Sequence, residues 1–142
     1  MERENIVMSD KKEIIKILRE GRLCHISMNN RGYPYTIPVY YGFEEIKGKI
    51  IIYIYTPAGG LKGELIRQDN RVAFEVDCYL VSICGNGNVS FISEEKKDDI
   101  LNLIRMRYRK IGVPFIEQEN VRPLLLEIAI KDITKNYFGV SV

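Results

Sequence analysis

The sequence is poor in the residues from which most catalytic and metal centres are built. It has one histidine, His25, which directly follows Cys24. On a strand these two side chains point to opposite faces, and no further ligands stand at a suitable spacing, so we predict no metal site. We interpret His25 as a partly buried strand histidine.

Nucleophile and nucleotide motifs are also missing. The sequence contains no GxSxG, no P-loop and no GxGxxG between a strand and a helix. Its paired carboxylates, Glu44-Glu45 and Glu94-Glu95, have the character of solvated surface residues. If the chain is an enzyme, we therefore expect its reactive chemistry to belong to a cofactor, and we assign no catalytic residue.

A strong charge imbalance and long hydrophobic runs are absent too. The 21 basic and 19 acidic residues leave a net charge of +2, so we expect no nucleic-acid partner. No apolar run reaches the roughly 18 residues of a membrane helix. The start, MERENIVMSD, lacks the apolar segment of a signal peptide. With three cysteines, an odd number, the sequence predicts a cytoplasmic protein with reduced thiols and no membrane partner.

The 142 residues suit one domain, residues 1–142. Helical periodicity predicts helices over residues 10–20 and 94–110, and a short helix over 60–68. Asp10 with Glu13 is typical of a capping box, Gly21 of a left-handed C-cap, and Ser93 of an N-cap.

β-prone runs separated by turns predict six strands with mostly antiparallel pairing. They cover residues 23–28, 34–41, 49–55, 71–77, 80–92 and 123–130. Gly85 and Gly87 lie inside the fifth strand, which indicates a sharp bend, as at the corner of a barrel, or the close approach of a ligand. The pattern predicts a mainly β fold, a β-barrel with helices covering its ends.

Pro38 is an unusual residue for the second predicted strand. Proline cannot donate a hydrogen bond to a neighbouring strand, so Pro38 requires a sheet edge, a bulge or a gap in the sheet. Backbone released from pairing in this way is free to contact a ligand.

The stretch IIIYIYTPAGGLK, residues 50–62, ends a strand with features of an anion site. Thr56 offers a hydroxyl, Gly59 and Gly60 offer open backbone, and Lys62 offers an ammonium group. An ordinary turn between strand and helix explains the same residues, and both interpretations stay open. By period two, Tyr53 and Tyr55 share a strand face, where tyrosines either join the core or border a planar ligand.

An ordered series of stretches in this sequence resembles a known family. The stretches are PYTIPVYYGF, then IYIYTPAGGLK, VAFEVD and SICGNG, followed by EEKKDDILNLI. The series is similar to the pyridoxamine 5′-phosphate oxidase-like flavoproteins, and within them to the nitroimidazole-reductase-related group of FMN-binding split barrels. The resemblance covers residues 10–135 and rests on the order and spacing of these stretches together.

This resemblance implies a six-stranded antiparallel split β-barrel that forms a homodimer with FMN at the subunit interface. It implies that the proline-containing strand runs along the flavin ring and that the end of the next strand, with its turn, holds the phosphate. The cofactor-binding residues implied in this sequence are Pro38, Val39, Tyr40, Tyr55, Thr56, Gly60, Leu61, Lys62 and Ser82.

Three departures from the family pattern limit what the resemblance implies. Many members of the nitroimidazole branch carry a histidine where this chain has Tyr55, so an activity of that histidine does not carry over. The phosphate-binding arginine of the oxidase branch has no counterpart, because Ile37 and Leu61 stand at the matching positions. The oxidase's C-terminal substrate segment is absent, so vitamin B6 oxidation is not expected.

The function implied is an FMN-dependent oxidoreductase that passes electrons from NADH or NADPH to a small planar acceptor such as a nitro compound or quinone. The alternatives are a flavin carrier or sensor without turnover, and a split barrel that binds deazaflavin F420 or haem. A small barrel that binds single-stranded nucleic acid through its tyrosines is a further alternative, which the balanced charge disfavours.

Overall fold

A computed structural model of the chain describes residues 8–137, so the single-domain prediction for 1–7 and 138–142 falls outside the described residues. Three α-helices and six strands follow one another in the described part. The helices are α1 (Met8–Glu20), α2 (Lys62–Gln68) and α3 (Lys97–Ile111), the last preceded by a 3₁₀ turn at Glu94–Lys96. The strands are β1 (Cys24–Asn30), β2 (Tyr33–Ile46), β3 (Lys49–Pro57), β4 (Arg71–Cys78), β5 (Val81–Phe91) and β6 (Pro123–Tyr137).

The six strands form one closed barrel in the order β1-β2-β3-β6-β5-β4. Every neighbouring pair is antiparallel. This confirms the predicted fold class, a mainly β antiparallel barrel with helices. β6, the last strand in the sequence, lies between β3 and β5 and completes the ring.

The core divides into two clusters because α3 packs on the outside of the barrel while α1 and α2 close its interior. Ile14, Ile17 and Leu18 of α1 join the inward side chains of the strands, and so do Leu65 and Ile66 of α2. The smaller cluster contains Tyr53 and Tyr55 of β3 together with Ile100, Ile104 and Tyr108 of α3. The predicted shared face of Tyr53 and Tyr55 is therefore buried beneath a helix.

The pairing of β5 with β6 is irregular at the glycines of β5, because β6 has one extra residue there, Lys131. The register shifts between Asn86 and Gly87. A Cβ atom at Gly87 would lie 2.2 Å from the carbonyl oxygen of Ala129, and one at Gly85 would lie 2.3 Å from that of Asp132. The predicted irregularity in the strand is present, and the atoms that approach the two glycines are the backbone of β6 rather than a ligand.

Three predicted helix caps are wrong. Asp10 lies inside α1, which begins at Met8. Gly21 has no positive φ; only glycine fits there because a Cβ would lie 2.5 Å from Val76 and 2.7 Å from the Tyr41 hydroxyl. Ser93 precedes the 3₁₀ turn, but its side chain makes no capping hydrogen bond.

The three cysteines are free. Burial raises the pKa of the Cys24 thiol to about 12. Among residues 8–137, no helix is long and apolar enough to cross a membrane.

Candidate functional site

β2 changes its partner in the middle, and this opens the sheet beside Pro38. Residues 33–39 pair with β1, with Pro38 opposite His25. The pairing with β3 begins only at Tyr40, which is opposite Tyr55. The gap required by Pro38 is therefore present on the β3 side, and the first half of β2 has backbone groups without a strand partner there.

The end of β3 diverges from β2 and continues along β6. Thr56 pairs with Leu124 and Pro57 with Pro123. The following turn is fixed by the N–H of Ala58, which donates to the carbonyl of Arg122 at 2.8 Å. The turn that carries the predicted phosphate residues therefore lies at the end of β3, on the side where β2 and β3 separate.

Gly59 and Gly60 have φ values of 107° and 74°, and a Cβ at either would meet no atom within 4 Å. The turn thus requires glycine because of its backbone conformation and not because space is short. The space around both glycines is open. α2 begins at Lys62 rather than at Gly60 and has only seven residues. Lys62 is half-buried, and within residues 10–137 its ammonium group has no ion-pair partner.

Tyr55 and Tyr40 place their rings in an aromatic cluster beneath α3. The ring of Phe115 lies 4.7 Å from that of Tyr40 and 4.9 Å from that of Tyr55, measured between centroids. Tyr108 completes the cluster at 5.3 Å from Tyr40. Tyr55 as a whole is only 3% exposed, and it pairs with Tyr40 on one side and Leu125 on the other, so its ring belongs to the core.

The other predicted strand residues alternate between the two faces of the barrel wall. Val39 is buried in the interior cluster, whereas Pro38 is exposed on the outer face. Thr56 is 6% exposed, and Leu61 is 38% exposed directly before α2. The structure therefore gathers Thr56, Leu61 and Lys62 at one turn and places Pro38, Val39 and Tyr40 on the adjacent half-free strand.

Ser82 lies apart from this turn. It pairs with Asp77 and Asn136, near the start of β5, whereas Phe91 at the other end of β5 pairs with Leu126, close to Thr56. Strands rise about 3.3 Å per residue, so Ser82 lies roughly 30 Å along β5 from Phe91. Through its β4 partner Asp77, Ser82 lies nearer to Tyr40, because Asp77 and Tyr40 line one cleft.

The structure adds a cleft of about 990 Å³ that the sequence did not predict. One wall is apolar and comes from α3 and the loop after it, with Ile111, Val113, Pro114 and Ile116. The facing wall carries polar groups. These are Glu20, Arg22, His25 and Asp77, with Tyr40 at the edge.

Charged groups on β1 and β4 lie beside this cleft. His25 Nδ1 is 3.1 Å from Glu75 Oε1. Partial burial, and then the charge and hydrogen bond of Asp77, raise the pKa of the Glu75 carboxyl above its usual value, while His25 opposes the shift. No local sequence pattern reveals this group, because His25 and Glu75 are 50 residues apart and meet only through strand register.

A second cleft, of about 430 Å³, lies between the β1–β2 turn and α2. Its lining includes Leu61, Tyr33 and Arg31. The sequence suggested a shortage of cations because Ile37 and Leu61 replace the family's arginine. The structure places Arg31 beside Leu61, so a cation from a different element is available at this end.

Comparison with known proteins gives the same family and fold. Residues 10–135 match the family described as pyridoxamine 5′-phosphate oxidase. A candidate 5-nitroimidazole antibiotic resistance protein from Bacteroides thetaiotaomicron is 22% identical with a TM-score of 0.72, covering 95% of this chain and 93% of that one. No curated protein gives a significant match.

Two further solved structures share the fold. An FAD-binding protein from Mesorhizobium loti is 19% identical with a TM-score of 0.66, covering 87% of this chain and 91% of that one. An FAD- and haem-binding protein from Mycobacterium smegmatis is 15% identical with a TM-score of 0.68, covering 92% of this chain and 72% of that one.

Proposed function

Because the chain belongs to the pyridoxamine 5′-phosphate oxidase family, we propose that it is a flavin-binding oxidoreductase with FMN as its cofactor. The observation that carries this proposal is the separation of β2 from β3 at Tyr40 and Tyr55. It leaves the Pro38 strand free to contact a planar ring. Next to that strand it places an open turn with Lys62, which has no ion-pair partner among residues 10–137.

The residues present suit the two chemically different ends of FMN. In our proposal the backbone of Pro38, Val39 and Tyr40 forms hydrogen bonds with the edge of the ring system. Thr56, the backbone of Gly60 and the ammonium of Lys62 bind the phosphate. Leu61 and the backbone of Tyr55 flank this turn.

We further propose a homodimer with FMN between the subunits. Ser82 lies at the opposite end of β5 from the strand end near Thr56, so we assign it to the side of the interface that faces the partner's cofactor. In this arrangement Ser82 of one chain approaches the cofactor whose phosphate is bound by Lys62 of the other.

The redox chemistry, electron transfer from NADH or NADPH to a small planar acceptor such as a nitro compound or quinone, is what FMN supplies when bound. The protein's residues bind and orient, and none is assigned as a nucleophile or proton donor. The 990 Å³ cleft, with one apolar and one polar wall, provides a space for a flat acceptor with polar substituents.

The first test is the chromophore of the purified protein. We expect a yellow protein with the absorbance bands of oxidised flavin, and FMN in the mass spectrum of the released chromophore. A folded protein that stays colourless and takes up no added FMN would refute flavin binding. If the mass spectrum shows FAD, F420 or haem instead, the barrel still binds a cofactor, but FMN is the wrong one.

Turnover is tested separately. Oxidation of NADH and NADPH is followed with a panel of nitro compounds and quinones, with free FMN as the background control. Rates above that background support an oxidoreductase. Rates equal to it, in a protein that binds FMN stoichiometrically, favour a flavin carrier.

A further inference from the structure

Three potential metal ligands converge on the outer face of the barrel. One ligand atom each of His25, Glu75 and Asp77 lies within 4.8 Å of the others. They come from two neighbouring strands, β1 and β4.

Strand geometry explains why these three side chains meet. His25 and Glu75 are cross-strand partners in the β1–β4 pairing. Asp77 follows Glu75 by two residues, which returns it to the same face of β4. Because β1 and β4 are both held in a closed ring, the backbone positions of all three donors are fixed before any ligand binds.

The charges of the group favour a cation. Two carboxylates this close repel each other, and a cation between them removes that repulsion. The His25 imidazole adds a nitrogen donor of the kind that zinc, iron, nickel and copper prefer, while magnesium and calcium prefer oxygen donors alone. We propose that His25, Glu75 and Asp77 form a binding site for one divalent transition-metal ion, with zinc as the reference ion.

The site opens onto the 990 Å³ cleft, since His25 and Asp77 line it. An ion held by three protein ligands on one side keeps further coordination positions on the other. Those positions face a space large enough for water or a small oxygen-donor ligand. The proposal does not depend on flavin binding.

The competing explanation is a simple ion pair between protonated His25 and Glu75, which accounts for their 3.1 Å contact without a metal. The two explanations differ in what happens when metal is added. An ion pair binds no ion stoichiometrically, whereas a metal site binds one per chain.

The test uses the untagged full-length protein, with any copurifying chromophore retained, after treatment with EDTA and desalting. Zn²⁺ is titrated by calorimetry and Co²⁺ by visible absorption. We expect one ion per chain. Replacing a residue that only orients a metal ligand typically weakens metal affinity about 10- to 100-fold. Replacing a ligand itself, as in His25→Ala or Asp77→Asn, should therefore weaken binding at least about tenfold.

Asp99→Asn is the matched control, an exposed acidic residue on α3 whose loss should leave the affinity unchanged. Circular dichroism establishes that each variant is folded, and His25→Gln serves as a second variant if His25→Ala is not. The proposal is overturned if the protein does not bind one metal ion per chain. It is also overturned if a folded His25 variant binds the ion as tightly as the wild type does. So does affinity that is lost in Cys84→Ser but kept in His25→Ala, because the ion then binds the exposed thiol.

Discussion

At the scale of single residues, the proposed phosphate contact depends most on Lys62. Its ammonium is unpaired within residues 10–137, so it carries no ion-pair role that a substitution would remove. We expect Lys62→Ala to weaken FMN binding by roughly 1.5–3 kcal/mol, the value of a charge-assisted hydrogen bond. Fluorescence titration of the FMN-free protein measures it.

Lys49→Ala is the matched control for Lys62, because Lys49 is an exposed lysine at the start of β3, whereas Lys62 follows the turn at the end of that strand. Its dissociation constant for FMN should equal that of the wild type. If Lys62→Ala also binds FMN as the wild type does, Lys62 does not reach the phosphate.

Arg107 is the residue whose loss should most damage the fold. It is buried on α3, where its guanidinium donates to the carbonyls of Leu18 and Gly21 and lies 3.9 Å from the centroid of the Tyr41 ring. In Arg107→Met the Gly21 carbonyl loses its Arg107 donor, whereas the Leu18 carbonyl still accepts from the Tyr41 hydroxyl. We therefore expect the free energy of unfolding to fall by about 1–3 kcal/mol. Urea denaturation measures it.

Arg109→Met tests the same change two positions along α3, where the side chain is exposed. We expect an effect within about 0.5 kcal/mol. Equal effects in the two variants would mean that the helix, and not the buried contacts, determines the loss.

Single residues were also the hardest features to predict from the sequence. Gly21 has the position of a C-cap glycine, yet contacts with Tyr41 and Val76, which are distant in the sequence, are what require it. Tyr55 faces α3, and only the packing of α3 decides between core and ligand contact. His25, Glu75 and Asp77 meet through strand register, which hydrophobic pattern alone does not specify.

At the scale of elements, β5 and β6 approach so closely that the bulge excludes side chains. In a strand, replacing glycine by alanine gains roughly 0.5–1 kcal/mol in backbone entropy. At Gly87 the new Cβ would lie 2.2 Å from the backbone of Ala129, which cannot move aside as a flexible side chain does. We expect Gly87→Ala to lower the free energy of unfolding by about 1–3 kcal/mol, measured by urea denaturation.

Ser90→Ala, on the exposed face of β5, is the control and should change stability by less than about 0.5 kcal/mol. A Gly87→Ala variant as stable as the wild type would show that β6 moves away at little cost. The bend at these glycines was predictable, because a strand tolerates them only at such places.

Elements were the best-predicted level. All six strands and three helices lie where periodicity and turn residues placed them. β2 and β6 extend further than predicted, to Ile46 and Tyr137. These extensions carry polar residues such as Glu45 and Asn136, whose side chains are exposed while pairing to a neighbouring strand holds the backbone. The local β-propensity of a sequence does not predict pairing of this kind.

At the scale of the whole molecule, the outer face of β1, β4 and the first half of β2 carries small uncharged side chains beside the group of His25, Glu75 and Asp77. Thr36, Pro38 and Ala73 are exposed there. We propose this face as the dimer interface and expect a mass about twice the chain's 16.5 kDa in light scattering. Thr36→Arg buries a charge in that contact, so it should shift the mass to one chain and release the flavin.

Asn102→Arg places the same charge on the exposed side of α3 and should leave both the mass and the flavin content unchanged. A monomeric wild type that retains FMN would contradict the two-chain site. A Thr36→Arg variant that remains a dimer would move the interface to another face.

The position of β6 between β3 and β5 has a consequence for synthesis of the chain. Until residues 123–137 have left the ribosome, β3 and β5 each present an unpaired edge, and the ring cannot close. The five preceding strands are therefore made before the barrel can close. Since open strand edges invite pairing with other chains, the nascent chain is most prone to aggregate while β6 is still missing.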